Sequence, residues 1–296
     1  MPKALPRFKR KRTAIPPIRL QPRDIRIIKL VYDYRFLNSG QIRALVGGSE
    51  RGILRRLQKL FHHGFLDRPA HQAAYLLGDD HRMVYALGNK GADVLAEYLS
   101  IDRDEINWTK KNLKIKAGFI EHTLMVSNFR ATITLALKNR ANANLLSWRP
   151  EFYRGMRDYV MITDIRGRKI RAAVVPDGFF CIRLNDQKKH FFLEADRSTV
   201  PWNRFLRKMR AYWEYWKQGR HIQKLGIRAF RVLTVTKTEK RKENLRALSQ
   251  RADTKRVGSR IFWFCSQQNF SLNKPETILG PIWQTPADEK YHKLLE

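Results

Sequence analysis

Two short runs carry the residues best suited to chemistry: Val175-Pro176-Asp177-Gly178-Phe179-Phe180 and Phe192-Leu193-Glu194-Ala195-Asp196-Arg197. A turn at Asn185 to Lys188 would fold them into an antiparallel pair with Asp177 opposite Asp196. Side chains alternate faces along a strand and opposed residues share a face, so Asp177, Glu194 and Asp196 are expected to project from one side. The inference holds for an even-numbered turn; an odd one would send Asp177 to the other face. Carboxylates gathered in this way raise one another's pKa unless a cation sits among them. Oxygen donors of this kind suit Mg²⁺ or Mn²⁺, an ion able to activate water against a phosphodiester. The structural alternative has Asp177 capping a turn beside Gly178, with Glu194 and Asp196 paired to Arg197 and other local arginines.

A frame of alternating elements must position these runs. Phe119 to Leu137 reads as a helix, followed by extended segments near Leu145 to Phe152, Ala172 to Leu184 and His190 to Asp196. An aromatic helix from Trp202 to Trp216, a strand from Phe230 to Thr236, a helix from Lys240 to Gln250 and a strand from Ile261 to Cys265 complete the order. The succession α-β-β-β-α-β-α-β favours a mixed α/β architecture around a central sheet. In the aromatic helix, Trp202, Phe205, Tyr212, Trp213, Tyr215 and Trp216 are interleaved with Arg204, Arg207, Lys208, Arg210 and Lys217. Such rings either stack unpaired bases or pack on the sheet, and Trp216 and Tyr212 are better placed for stacking than Trp202 at the helix start.

The N-terminal third has a different pattern. Ile25, Ile28, Leu30, Val31 and Tyr34 form a helical stripe, and Asn38 or Ser39 can cap a second helix that ends at Gly47 and Gly48. Ser49 caps a third helix with Ile53, Leu54, Leu57, Leu60 and Phe61 on its apolar face. Strands at Ala74 to Leu77 and Met83 to Leu87 flank a turn at Gly78, Asp79 and Asp80, and a last helix carries Val94, Leu95, Tyr98 and Leu99. Three helices and a hairpin in this order describe a winged helix-turn-helix. Its third helix would enter the DNA major groove with Arg51, Arg55, Arg56 and Lys59 as the candidate DNA-binding residues. The other reading of that basic face is a solvated or protein-docking surface.

Charge supports a polyanionic partner. Lys and Arg number 59 against 27 Asp and Glu, a net charge of +32 that repels itself without one. Nucleic acid leads, with an RNA- or ribosome-associated protein as a weaker option. Residues 1–23 contain eight basic residues, no acid and five prolines, which reads as a flexible basic arm that gains affinity by neutralising phosphates. No run approaches the ~18 apolar residues of a membrane span, and no apolar segment follows the basic N-terminus as in a secretory signal. Cys181 and Cys265 lie far apart in apolar runs, which argues against a disulfide framework or cysteine-rich zinc site and suits a reducing, cytoplasmic setting.

With these motifs in place, the chain resembles the replication-relaxation family of plasmids and other mobile elements. The resemblance rests on Leu20 to Leu99, Glu121-His122, Pro176-Asp177-Gly178, Glu194-Ala195-Asp196-Arg197, Phe230 to Val235 and Arg241 to Leu245. It implies an α+β chain in which a winged helix is joined to a restriction-endonuclease-like mixed-sheet domain. In some relatives that domain is the catalytic part of a mobilisation relaxase, which nicks DNA at a transfer origin. The nuclease superfamily pattern is Pro-Asp, a spacer, Asp or Glu, one residue, then Lys. Asp177 and Glu194 match the two metal ligands, and Asp196 stands where the lysine is expected. Arg197 or Lys208 would then supply the positive charge, an arginine only electrostatically. Glu121 and His122 open the preceding helix and add a possible ligand or base.

These readings divide the chain into residues 1–23, the arm; 24–100, the winged helix; 101–118, a linker; 119–270, the nuclease-like domain; and 271–296, a C-terminal extension. Two functions follow. In one, Asp177, Glu194, Asp196, Arg197 and Lys208 form a candidate catalytic group in which Asp177 and Glu194 hold Mg²⁺ or Mn²⁺ and the protein nicks DNA, double-stranded at an origin and single-stranded after nicking. In the other, the nuclease domain is degenerate and the protein regulates replication or transcription by occupying DNA. No tyrosine stands in a two- or three-histidine context, which argues against a tyrosine relaxase.

Overall fold

The computed structural model describes residues 9–10, 15–73, 82–106, 112, 115–150, 154–164, 166–252 and 259–296. The chain divides into two compact units, Met1–Ala131 and Thr132–Glu296.

The first unit contains α1 (Pro22–Tyr34), β1 (Leu37–Asn38), α2 (Ser39–Val46), α3 (Glu50–His62), β2 (Leu66–Asp67), β3 (Val84–Leu87) and α4 (Asn89–Leu99). Each start has a local cause. Pro22 opens α1, where its missing N–H costs nothing, and the Asp24 carboxylate accepts from Gln21 N at 2.6 Å. Asn38 caps α2 reciprocally: its side chain accepts from Gln41 N at 2.8 Å while its own N–H donates to the Gln41 side chain at 2.9 Å. Ser49 caps α3, whose Ile53, Leu57, Leu60 and Phe61 are buried. The small sheet has the order β1-β3-β2, all antiparallel, as a winged helix requires. The expected strand Ala74 to Leu77 and the turn with Asp79 and Asp80 lie outside the described residues.

Two boundaries differ from the sequence reading. The next helix, α5 (Ala117–Lys138), was expected to open the second domain at residue 119, yet the division between units falls inside it. Ile120 and Leu124 pack with Phe36, Val84 and Ala86, and Ser127 Oγ donates to Phe36 O at 2.9 Å, so its first turns complete the core of the winged helix. The described part of the arm is also fastened rather than free. Arg10 donates to Phe61 O at 3.0 Å and Leu66 O at 3.1 Å and pairs with Asp67, and Pro16 O meets the His63 ring at 2.9 Å.

The second unit is built on a seven-stranded sheet of order β12-β11-β10-β9-β8-β7-β4, with β8, β9 and β10 parallel and the other pairs antiparallel. Its strands are β4 (Ala143–Pro150), β7 (Gly178–Leu184), β8 (Gln187–Asp196), β9 (Arg231–Thr236), β10 (Phe262–Ser266), β11 (Pro281–Gln284) and β12 (Tyr291–Lys293). Helices α6 (Trp202–Lys217) and α7 (Arg220–Leu225) join β8 to β9, and α8 (Glu239–Ser249) lies between β9 and β10. Strands β4, β7 and β8 form an antiparallel meander, and β9 follows α6 and α7 to pair parallel with β8. The expected strand Ala172 to Leu184 is broken: β5 (Asp158–Thr163) and β6 (Lys169–Val174) form a separate hairpin, and Pro176, which has no N–H for a ladder, marks the break. That hairpin packs Val160, Ile162, Ala172 and Val174 against Phe205, Leu206 and Met209 of α6. The residues expected to form a C-terminal extension instead lengthen the sheet, where Trp283 and Leu294 are fully buried. Among the described residues no helix is long and apolar enough to cross a membrane.

One polar pair under α1 and α3 stands out in the first unit. Asp24 is inaccessible to solvent and receives the Arg56 guanidinium on both oxygens. Removing one partner of such a pair strands the other charge. Arg56→Met should lower the unfolding free energy in urea by about 3 kcal/mol or more, whereas Arg55→Met at an exposed position should change it by less than about 0.5 kcal/mol. Equally small effects would contradict this account of the pair.

Candidate functional site

The β7–β8 hairpin turns through two residues, Asn185 and Asp186, with Asn185 at φ 49° in the left-handed region that asparagine tolerates well. This tighter turn shifts the expected register by two: Gly178 pairs with Leu193, so Asp177 stands across from Glu194 rather than Asp196. An even shift preserves the faces. The Asp177 backbone N–H donates to Leu193 O at 2.9 Å, and its Oδ2 accepts from Ala195 N at 2.7 Å. The carboxylate is thereby held beside Glu194 by the edge of β8. Gly178 is needed next to it because the Trp148 indole, stacked on Phe180, lies 2.7 Å from where a Cβ would be.

Glu194 is enclosed between β8 and α6. Its Oε2 pairs with the Lys208 ammonium and its Oε1 accepts from the Tyr212 hydroxyl at 2.5 Å. Lys208 and Tyr212 lie one helical turn apart and so reach the same acid from one side of α6. Burial, helped by the nearby Asp177 charge, pushes the Glu194 carboxyl up to about 7 against the opposing pull of Lys208 and the Tyr212 hydrogen bond. Burial and the Glu194 charge push the Tyr212 phenol well above its ordinary value, so it remains a neutral donor. On β9, Thr234 is in register with Glu194, fully buried, and its hydroxyl has no hydrogen-bond partner among the described residues.

Asp196 departs from the expected three-acid cluster. Arg241 at the start of α8 grips it with Nε at 2.9 Å and Nη2 at 3.0 Å, Ser198 N donates to it at 2.8 Å, and the same Nη2 reaches Val200 O at 2.6 Å. Among the described residues no group of three His, Cys, Asp or Glu side chains is placed to share a metal ion. Asp196 thus fastens the loop after β8 to α8, and the acids brought together are Asp177 and Glu194. Arg197 is partly exposed just past β8. The positive charge on Glu194 comes from Lys208. Sequence reasoning missed Tyr212 as a partner of Glu194, although its spacing of four from Lys208 is a helical signal; the Arg241 pairing has no local signal. Tyr212 is fully buried and unavailable for base stacking, whereas Trp216 is exposed.

In the first unit, Arg51, Arg55 and Lys59 recur every fourth residue on α3 and all are exposed. Arg56 was expected beside them. Its commitment to Asp24, and to Arg19 O at 2.7 Å, turns it away from that face.

The fold and site define a class: an α+β chain with a winged helix-turn-helix followed by a unit built on a seven-stranded mixed sheet, which carries two opposed carboxylates and a lysine. Comparison with known proteins is more particular. The replication-relaxation family model matches residues 28–229, and the chain belongs to that family. Membership implies a role in the replication of mobile elements and an involvement with DNA. No curated protein and no solved structure gives a significant match.

The Glu194 carboxyl has a consequence for stability. With its folded pKa raised from 4.5 to about 7, the folded chain holds this proton more tightly than the unfolded chain does. The contribution to stability is complete below pH 4.5 and is lost as pH rises to about 7, by the order of 3 kcal/mol. In EDTA, Glu194→Gln should therefore gain stability relative to the unaltered protein between pH 5 and pH 8, as followed by urea unfolding. A pH-independent difference would refute the burial of an ionisable Glu194.

Proposed function

We propose that the protein binds double-stranded DNA of a mobile element through α3 and cleaves one strand with a metal-dependent site on the sheet. The observation that carries this reading is the Lys208 ammonium on Glu194 with Asp177 across the strand pair. The strand lacks the lysine of the nuclease pattern, and α6 supplies one at the same acid.

The residues fit a divalent cation. Asp177 and Glu194 offer hard oxygen donors across the β7–β8 pair near the C-terminal end of β8, where burial raises the Glu194 pKa despite the Lys208 ammonium. The Thr234 hydroxyl, without a hydrogen-bond partner among the described residues, adds a polar group on the same face. Mg²⁺ or Mn²⁺ held by Asp177 and Glu194 would supply an acidified water and neutralise charge developing on the phosphate. Lys208 stands beside that position, where its ammonium can orient the attacking water or a phosphate oxygen. Tyr212 fixes the second oxygen of Glu194, and Asp196 with Arg241 holds the loop leading into α6. Arg51, Arg55 and Lys59 present their charges on the face of α3 that a major groove would receive.

A second reading has its own support: both Glu194 oxygens already have partners and Asp196 is committed to Arg241, as in a structural ion-pair network. Under it, the protein occupies DNA without cutting it.

Supercoiled DNA carrying the element's own origin separates the two. Nicking is expected with Mg²⁺ or Mn²⁺ and not with EDTA. Asp177→Asn and Lys208→Ala should each lower the rate at least about 100-fold while DNA affinity changes little. No cleavage by the unaltered protein under any of these conditions would leave the non-cutting reading. Arg51→Ala or Arg55→Ala should weaken the preferred site by about 1 to 3 kcal/mol and random DNA by less. Equal losses on both would contradict base reading by α3.

A further inference from the structure

The β5–β6 hairpin interrupts the β-meander, and with α6 it encloses a cleft of about 460 Å³ on the second unit. Arg166 and Arg168 line it from the hairpin side and Arg204, Arg207 and Arg210 from the helix; the only carboxylate among its lining residues is Asp164. That acid is already used. Its Oδ1 accepts from the backbone of Arg166 at 2.8 Å and Arg168 at 2.9 Å, and its Oδ2 receives the Arg168 guanidinium at 3.1 and 3.2 Å. Among the described residues, the four guanidinium charges of Arg166, Arg204, Arg207 and Arg210 have no counter-charge in this concavity.

Their arrangement suits a ligand rather than a solvated face. Arg207 donates to Arg171 O at 2.8 Å and Arg210 to Thr163 O at 3.2 Å, so single N–H bonds brace both forks and leave their other donors to the cleft. Arg166 and Arg204 have no side-chain hydrogen bond or ion pair among the described residues. Buried apolar side chains, Ile162 and Leu206, form part of the wall, and low-dielectric walls concentrate the field of the surrounding charges. Guanidinium forks match phosphate oxygens two at a time. Arg204 also precedes Lys208 by one turn of α6, so the cleft and the Glu194 pair are served by neighbouring positions of one helix.

We infer that this cleft is a second DNA-binding site, which takes the phosphodiester backbone of duplex DNA independently of the winged helix. The inference shares with the proposed function only the identity of the partner, and it stands whether or not the strand is cut.

The test uses the full chain and a duplex DNA, with affinity measured between 50 and 200 mM salt. Arg166→Gln with Arg204→Gln removes two guanidiniums that hold nothing in the fold, and an unchanged thermal melt verifies folding. If both contact phosphates, the slope of log affinity against log salt should fall by about 1.8. Arg228→Gln with Lys237→Gln removes equal charge from exposed positions outside the cleft and should change the slope by less than half as much. An unchanged slope in the cleft variant, or an equal drop in both variants, would overturn the inference, as would no duplex binding by the unaltered protein or a loss on RNA alone. A drop confined to the cleft variant, in a protein that nicks nothing, would uphold it while removing cleavage from the proposed function.

Discussion

A carboxylate enclosed between a sheet and a helix cannot be neutralised by water, so its charge must be answered by groups the fold brings to it. Glu194 sets this condition for the second unit. Lys208 and Tyr212 answer it from one side of α6, while the hairpin register sets the like charge of Asp177, just before β7, across from it. Asp196 and Arg241 then tie the loop between β8 and α6 to the start of α8. Displacing α6 by a turn would leave a buried acid without its cation.

The same constraint explains why the carboxylates do not act as a cluster. Two acids on one strand face, separated by one residue, would repel each other in a medium of low dielectric. The fold gives each its own cation, an ammonium for Glu194 and a bidentate guanidinium for Asp196. Among the described acids, Asp177 across the strand pair adds to burial in raising the Glu194 pKa.

Periodicity and capping made the first unit legible, because its helices are local structures with local signals, Asn38, Ser49 and the apolar stripes, although Pro22, read as part of the arm, is the first residue of α1. The role of Arg56 was not legible, since its partner Asp24 is thirty-two residues away and on another helix. In the second unit the alternating pattern revealed the strands that carry Asp177 and Glu194 and the helix that carries Lys208. Pairing register escaped it by two residues, because a turn of two and a turn of four leave the same alternation. The β5–β6 hairpin was hidden because apolar Tyr159 and Met161 stand on the exposed face of β5 and mask its alternation of burial, and β11 and β12 because they are too short to show a period.

Binding of Mn²⁺ to the full chain at pH 8, followed by the loss of the free-ion electron paramagnetic resonance signal, bears most directly on the Glu194 site. If Glu194 and Asp177 form a cation site guarded by Lys208, the unaltered protein should take up Mn²⁺, Asp177→Asn should lose that uptake, and Lys208→Ala should retain or strengthen it. No uptake by either the unaltered protein or Lys208→Ala, with or without DNA present, would contradict the account and leave Glu194 and Lys208 as a structural pair.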